Sequence, residues 1–142
     1  MKKLIAPLFI LLSLTAFSFD VKKSTPEETV TNFLNAINDR DWEKAKFLAT
    51  PESEELLDMI IGFAEMAPDS SDNYRFVIVH EKTIINNDLA EINVRDENGD
   101  EMIYKVKKIE KEWKVDFTIE AILGEDYMKE MDGLMEDMEE EE

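Results

Sequence analysis

The fold is decided by the stretch Leu89–Val106, which reads LAEINVRDENGDEMIYKV. Apolar and polar residues alternate on both sides of Glu97-Asn98-Gly99, and this period of two is typical of half-buried strands. A three-residue loop with Gly99 in the left-handed position closes such a hairpin through a bulged turn. The stretch therefore predicts two long antiparallel strands joined by a tight turn.

The length of that loop also predicts the register of the hairpin. It sets Ile92 opposite Tyr104 on the apolar face and Arg95 opposite Glu101, an opposite-charge pair, on the other face. A loop one residue shorter would mix apolar with charged residues on both faces. The three-residue loop is therefore the one that keeps a single face apolar.

Similar patterns on either side extend the hairpin into a meander of four strands. The segment 74–85 is rich in β-branched and aromatic residues, and residues 113–119 alternate again after a turn at Glu110-Lys111. The connection through Asn86-Asn87-Asp88 gives no clean register, so we expect a bulge in the first strand.

Three helix starts precede these strands. Thr25-Pro26 with Glu28 combines an N-cap, a first-turn proline and a capping-box glutamate, Asp41 offers a second N-cap, and Thr50-Pro51 repeats the first pattern. The apolar faces expected to follow are Val30, Phe33, Leu34 and Ile37; then Trp42, Ala45, Leu48 and Ala49; then Leu56, Leu57, Ile60, Ile61 and Ala64.

These elements predict an α+β fold. N-terminal helices pack on a curved, cone-like, antiparallel four-stranded meander, and a C-terminal acidic amphipathic helix follows. The length of 142 residues favours one domain. We assign it to residues 25–123, after a linker at 19–24 and before an acidic, Met-rich helix and tail at 124–142.

Residues 1–18 have the layout of a secretory signal peptide. A basic start at Lys2-Lys3 precedes a short apolar run, and Ala16-Phe17-Ser18 is a small-x-small cleavage pattern. We therefore expect an exported protein, periplasmic or secreted. The chain has no Cys, which rules out a disulfide framework, thiol catalysis and a lipid-modified N-terminal Cys. No stable membrane anchor is expected after cleavage.

The charge balance argues against nucleic acid as a partner. The chain has 16 Lys+Arg against 34 Asp+Glu, a formal net charge of -18, which opposes binding to phosphate backbones. We expect no nucleic-acid partner. The acidic segments 69–73 and 96–100 lack the spacing of a calcium loop, so neither a metal site nor a cofactor is predicted.

Two segments resemble a known superfamily. Thr25-Pro26-Glu27-Glu28-Thr29-Val30, running through to Asp41-Trp42-Glu43-Lys44-Ala45, and Ile109-Glu110-Lys111-Glu112-Trp113-Lys114-Val115 look like small exported, lipoprotein-type bacterial domains of unknown function. These belong to the nuclear transport factor 2-like (ketosteroid-isomerase-like, cystatin-like) superfamily. The resemblance covers residues 24–119 and implies a concave sheet with a pocket against the helices. It implies no particular chemistry, and lipid anchoring is not carried over without a Cys.

A pocket of this kind would be lined by inward aromatic residues, with His80 and Tyr104 supplying polarity. We predict no catalytic residue: His80 has no positioned partner in the sequence, and Asp116 alternates onto the opposite, exposed face. The predicted pocket residues are Phe33, Ile37, Trp42, Tyr74, Phe76, His80, Tyr104, Trp113 and Phe117.

The C-terminal segment carries methionines at helical spacing, and Met adapts to irregular apolar surfaces. It could cap the cone mouth, join a homodimer or bind a partner. Its acidic tail, from the same chain or from a neighbour, could instead dock on the lysines of the last hairpin, Lys105, Lys107, Lys108, Lys111 and Lys114. The predicted interface residues are Tyr127, Met128, Met131, Leu134, Met135 and Met138.

The sequence therefore favours an exported, noncatalytic binding or interaction module for a small apolar ligand or a protein partner. Two alternatives stay open. One is an isomerase- or hydrolase-like enzyme of the same fold that uses His80, and the other is an assembly or scaffold subunit that uses the Met-rich helix.

Overall fold

The computed structural model describes residues 23–66, 74–124 and 127–133. Within them, N-terminal helices precede a strongly curled antiparallel sheet, and C-terminal helices follow. The predicted α+β class is confirmed. The predicted signal peptide, residues 19–22 of the linker, the loop 67–73 and the tail 134–142 lie outside the described residues.

The first two helices begin at their predicted caps. Helix α1 spans Pro26–Asn38, and its capping box is complete: the Glu28 N–H donates to Thr25 Oγ1 at 3.1 Å, and the Thr25 N–H donates to Glu28 Oε2 at 3.0 Å. Helix α2 spans Trp42–Leu48, with Asp41 as its N-cap. Both caps satisfy backbone donors that a helix start leaves unpaired.

The third helix starts differently from the expectation. Residues Pro51–Ser53 form a short 3-10 turn before α3, which spans Glu54–Met66. The Thr50 side chain makes no cap hydrogen bond; its hydroxyl lies 2.8 Å from the hydroxyl of Ser53. The Thr50 N–H donates to the Val115 carbonyl at 2.8 Å, so this segment is tied to the last strand of the sheet.

The predicted first strand is split in two. Strand β1 spans Phe76–Ile78 and β2 spans Ile84–Asn86, with a 3-10 turn at His80–Lys82 between them. Both pair with β3, which spans Leu89–Asp96. The expected bulge is therefore a full turn, and the sheet has five strands.

The remaining strands follow the predicted hairpins. Strand β4 spans Glu101–Ile109 and β5 spans Glu112–Asp116, and the sheet order is β1-β3-β4-β5, with β2 also paired to β3. Ile92 faces Tyr104 as predicted, and Gly99 has a φ of 91°. The register derived from a single apolar face is therefore confirmed.

The core lies between α1 and the concave side of the sheet. Phe33 of α1 is fully buried, and its ring lies 5.1 Å from the ring of Phe117. A short helix, α4, spans Ile119–Leu123 after the sheet and packs against β4. The buried apolar residues of this core are Val30, Phe33, Leu34, Ala36, Ala45, Ala49, Leu57, Ala90, Ile92, Val94, Tyr104, Val106 and Val115.

Helix α3 contributes less to the core than its sequence predicts. Leu57 is buried, whereas Ile60 and Ile61 are half-buried. Residues 127–133 are also helical. Among the described helices, none is both long and apolar enough to cross a membrane.

Candidate functional site

The predicted pocket residues occupy three kinds of position. Phe33 and Tyr104 are buried in the core, and Trp42 is half-buried. Tyr74 and His80 are exposed. The four that pack against the core while partly buried are Ile37, Phe76, Trp113 and Phe117. Most of the inward aromatic residues are therefore packing elements, and whether they also contact a ligand stays a prediction.

Three of these aromatic residues, which we call the aromatic cluster, are linked through Tyr74: Tyr74 stacks on Phe76 and interacts electrostatically with Tyr104. The rings of Tyr74 and Phe76 are stacked with centroids 5.9 Å apart. Burial, with a smaller contribution from Tyr74, raises the pKa of Tyr104 to about 12. The Tyr104 hydroxyl makes no hydrogen bond to a described residue, so it can donate to a bound molecule.

His80, predicted as a polar residue of the pocket, does not face the core. The 3-10 turn at residues 80–82 interrupts the alternation, and the His80 side chain is 72% exposed. Its Nδ1 lies 2.9 Å from Oε1 of Glu27, and Thr83 Oγ1 donates to the same oxygen at 2.9 Å. The hydrogen bond from His80 lowers the pKa of Glu27, and the one from Thr83 lowers it further.

Asp116 faces away from the core as predicted, but it is buried, not exposed. It is 7% exposed, and its carboxylate contacts Lys107 and Thr118. Lys107 Nζ lies 2.6 Å from one carboxylate oxygen, and Thr118 Oγ1 donates to the other at 3.1 Å. The hydrogen bond with Asp116 raises the pKa of Lys107. Both carboxylate oxygens of Asp116 are therefore used in contacts within the fold.

The Lys107–Asp116 pair lies in a cleft between α4 and the outer face of the sheet, which we call the outer cleft. Its volume is about 450 Å³, within the usual range for small-molecule sites. Its charged lining residues are Glu52, Glu91, Lys105, Lys107, Asp116 and Glu120. Acids outnumber lysines, so an anion would meet net repulsion there.

The five lysines predicted as one patch are divided between regions. Lys105 and Lys107 line the outer cleft. Lys108 lies over the ring of Trp113, 4.9 Å from its centroid, and Lys111 is in the β4–β5 turn. Lys114 is nearly buried, and its Nζ donates to the Phe47 carbonyl at 2.6 Å. Lys108, Lys111 and Lys114 lie around the β4–β5 turn, a region that we call the hairpin end.

A small cavity of about 170 Å³ is found at this hairpin end. The Lys114 amine lies 3.9 Å from the centroid of the Phe47 ring, an arrangement in which the ring face attracts the cation. The residues that line the cavity are Lys23, Ser24, Thr29, Phe47, Leu48, Lys111, Glu112, Trp113 and Lys114. Lysines and rings are thus interleaved here.

An apolar surface that the sequence analysis missed lies on α3. Met59, Phe63 and Met66 are 46%, 60% and 74% exposed, and their spacing of four and three residues places them on one side of the helix. We call these three residues the α3 stripe. The sequence could have revealed this surface, because α3 carries apolar residues on more than the face that holds Leu57. A helix that is apolar over most of its circumference is normally buried.

The predicted C-terminal interface is described in part. Tyr127 and Met131 are exposed and Met128 is half-buried. Leu134, Met135 and Met138 lie outside the described residues. Tyr127 and Met131 thus present apolar side chains to solvent, and their role as an interface stays a prediction.

In residues 23–66, 74–124 and 127–133, no three His, Asp or Glu side chains come together in a way that could hold a metal ion. The chain matches no protein-family model, no curated protein and no solved structure.

Proposed function

We propose that this chain is an exported, noncatalytic interaction module with the cone fold of the nuclear transport factor 2-like superfamily, and that it binds another protein through the α3 stripe. The signal-peptide pattern of residues 1–18 supports export. The curled sheet against N-terminal helices and the two resembling segments support the superfamily. The observation that carries the protein-binding function is the exposure of Met59, Phe63 and Met66.

Exposed apolar side chains in a row are unfavourable unless something covers them. Burying one Met or Phe side chain contributes about 1.5–3 kcal/mol, and contiguous apolar patches on soluble proteins commonly mark interaction sites. The α3 stripe offers the i, i+4, i+7 anchors of a helix that lies in an apolar groove. A partner with such a groove, or with an apolar helix of its own, would complement it.

The residues of the predicted pocket give less support to a catalytic function than the α3 stripe gives to protein binding. Phe33 and the ring of Tyr104, which the sequence predicts in a ligand pocket, are buried in the core. His80 is 72% exposed at the edge of an open cavity of about 780 Å³ that Glu27 also lines, and the Glu27 carboxylate is its one side-chain partner among the described residues. These positions weigh against the isomerase- or hydrolase-like alternative.

A second candidate function is binding of a small apolar ligand at the aromatic cluster of Tyr74, Phe76 and Tyr104. The stacked rings of Tyr74 and Phe76 offer an apolar surface, and the Tyr104 hydroxyl, which makes no hydrogen bond to a described residue, offers a donor near Tyr74. Tyr104→Phe keeps the ring and removes the donor. If this candidate is right, that change weakens binding of an apolar carbonyl-containing probe; if it is wrong, the two proteins bind the probe equally.

The protein-binding proposal is tested with a benzophenone amino acid at position 66 of the full chain, irradiated in cells that make it. We expect a defined protein adduct, and at least a tenfold weaker one when Phe63→Asp is added, since a buried charge disrupts an apolar contact. The matched control places the same cross-linker at position 55, an exposed polar position of α3.

Two outcomes contradict the proposal. One is an adduct pattern at position 66 that equals that at position 55. The other is an adduct that persists unchanged with Phe63→Asp while circular dichroism shows a folded domain. An adduct with a second copy of the chain would favour the scaffold alternative in place of a distinct protein partner.

A further inference from the structure

The hairpin end of the molecule concentrates positive charge in a chain whose formal net charge is -18. Lys108, Lys111 and Lys114 lie in or next to the β4–β5 turn, and Lys23 lines the same small cavity. Glu110 and Glu112 belong to the same segment, and four lysines outnumber them. This end is therefore a local exception to the charge of the whole protein.

Three of these lysines lack a carboxylate partner in the described parts of the chain, and two of them, Lys108 and Lys111, belong to the hairpin itself. Lys114 is used internally, because it bonds the Phe47 carbonyl and lies 3.2 Å from Glu112. Lys108 contacts the Trp113 ring, and no described carboxylate lies within ion-pair distance of Lys108 or Lys111. Both are available to an anionic group that brings apolar atoms to the neighbouring rings.

The complementary chemistry is present in the same chain. Residues 134–142 read LMEDMEEEE, with six acids, no cation, one Leu and two Met. Carboxylates suit the two lysines, and thioethers pack favourably against aromatic rings. Phe47 is 65% exposed beside Lys114, so an apolar surface is also available.

The chain is long enough to reach this end. Helix α4 packs against β4 and shares the outer cleft with Lys107. Lys111 is four residues further along the hairpin, about 13 Å at the rise of a strand. The segment from Gly124 to Glu142 would span about 27 Å even at the short rise of a helix. Its last residues can therefore arrive at the hairpin turn.

We propose that residues 134–142 dock on the lysines and rings of the hairpin end in the same molecule, through Lys108 and Lys111. A second copy is the less favourable source of this segment, because two strongly acidic molecules repel each other. A tethered segment acts instead at an effective concentration in the millimolar range. The proposal does not depend on the partner proposed for the α3 stripe.

The test measures how fast each lysine is acetylated by a water-soluble N-hydroxysuccinimide ester, read by peptide mass spectrometry. The full chain is compared with a chain that ends at Gly133. At low salt we expect Lys108 and Lys111 to react roughly fivefold more slowly in the full chain. Lys105, in the outer cleft, is the internal control and reacts at the same rate in both.

Salt and a second variant sharpen the result. At about 1 M NaCl, where the Debye length is ~3 Å, the difference should disappear. Replacing residues 139–142 with Gln keeps the length and removes four charges, and should restore most of the reactivity of Lys108 and Lys111. Circular dichroism of each variant establishes that the domain is folded.

The proposal is overturned if Lys108 and Lys111 react at equal rates in the full and shortened chains. It is also overturned if their protection increases with protein concentration, since that would assign the docked segment to a second copy. Protection that is independent of concentration and is lost at high salt supports docking within one molecule.

Discussion

Nδ1 of His80 lies 2.9 Å from Oε1 of Glu27, and this contact joins the turn that splits the first strand to the first turn of α1. An ionised carboxylate can only accept, so His80 is the donor. Thr83, at the other end of the same turn, donates to the same oxygen. One carboxylate therefore holds both ends of the interruption against the helix.

This contact predicts a pH-dependent contribution to stability. The folded-state pKa of Glu27 lies below its ordinary value of 4.5, so the ionised form is favoured by folding. Its contribution is complete above the ordinary value and is lost as the pH falls through the lowered folded value. We expect Glu27→Gln to cost about 1 kcal/mol at neutral pH and progressively less in acid, measured by urea unfolding.

The matched control is Glu43→Gln, which removes the same charge from the first turn of α2. It should cost less at neutral pH, because Glu43 is exposed and exposed charges near a helix start contribute little. Equal losses for the two variants at every pH would show that the contact with His80 contributes nothing beyond the helix start.

The register of the central hairpin could be predicted because several independent features of its sequence favour the same pairing. Charge pairing at Arg95 and Glu101, the apolar face with Ile92, and Gly99 in the turn all favour one register. A slip by one residue exchanges the two faces. Local strand propensity and burial in the core favour the same register in this stretch, so no other register fits the sequence.

The position of His80 could not be predicted, because it depends on an interruption that alternation does not reveal. The segment 74–85 has strand-forming composition throughout, yet Phe76 pairs with Asp96 while Ile84 pairs with Glu91. Between these two pairings the first segment has three more residues than β3 has, and these extra residues form the 3-10 turn. Its stabilising contact is with Glu27, a residue distant in sequence, and such a contact is invisible to local patterns.

The ion pair between the exposed Lys107 and the buried Asp116 on the outer face makes the second prediction. Asp116 is buried and accepts from Lys107 and Thr118, so Asp116→Asn leaves the lysine without its carboxylate. We expect a loss of about 2 kcal/mol, typical of a charge-assisted hydrogen bond, measured as the free energy of unfolding at neutral pH.

The control for this prediction is Glu112→Gln on the same strand. Glu112 pairs with Lys114 at 3.2 Å but is largely exposed, and exposed ion pairs contribute about 0–1 kcal/mol. A loss for Glu112→Gln as large as that for Asp116→Asn would mean that burial does not set the strength of these pairs.

The turn between β4 and β5 makes the third prediction. Glu110 and Lys111 have φ values of 50° and 70°, and a left-handed conformation costs a non-glycine residue about 1–2 kcal/mol. Lys111→Gly should therefore stabilise the protein by about 1 kcal/mol in urea unfolding. Asn87→Gly is the comparison, since Asn already tolerates its φ of 52°, and should change stability less. A fall in stability for Lys111→Gly would show that the lysine side chain contributes more than its strain.

The fourth prediction separates the core from the surface that we assign to a partner. Phe33 is fully buried against Phe117, whereas Phe63 is 60% exposed on α3. Phe33→Ala should cost about 3–5 kcal/mol because it leaves a cavity, and Phe63→Ala should stay within about 0.5 kcal/mol in the isolated protein. Urea unfolding of both variants measures the difference. If Phe63→Ala destabilised the isolated domain as much as Phe33→Ala does, the α3 stripe would be part of the core in solution. Its exposure would then no longer support a protein partner.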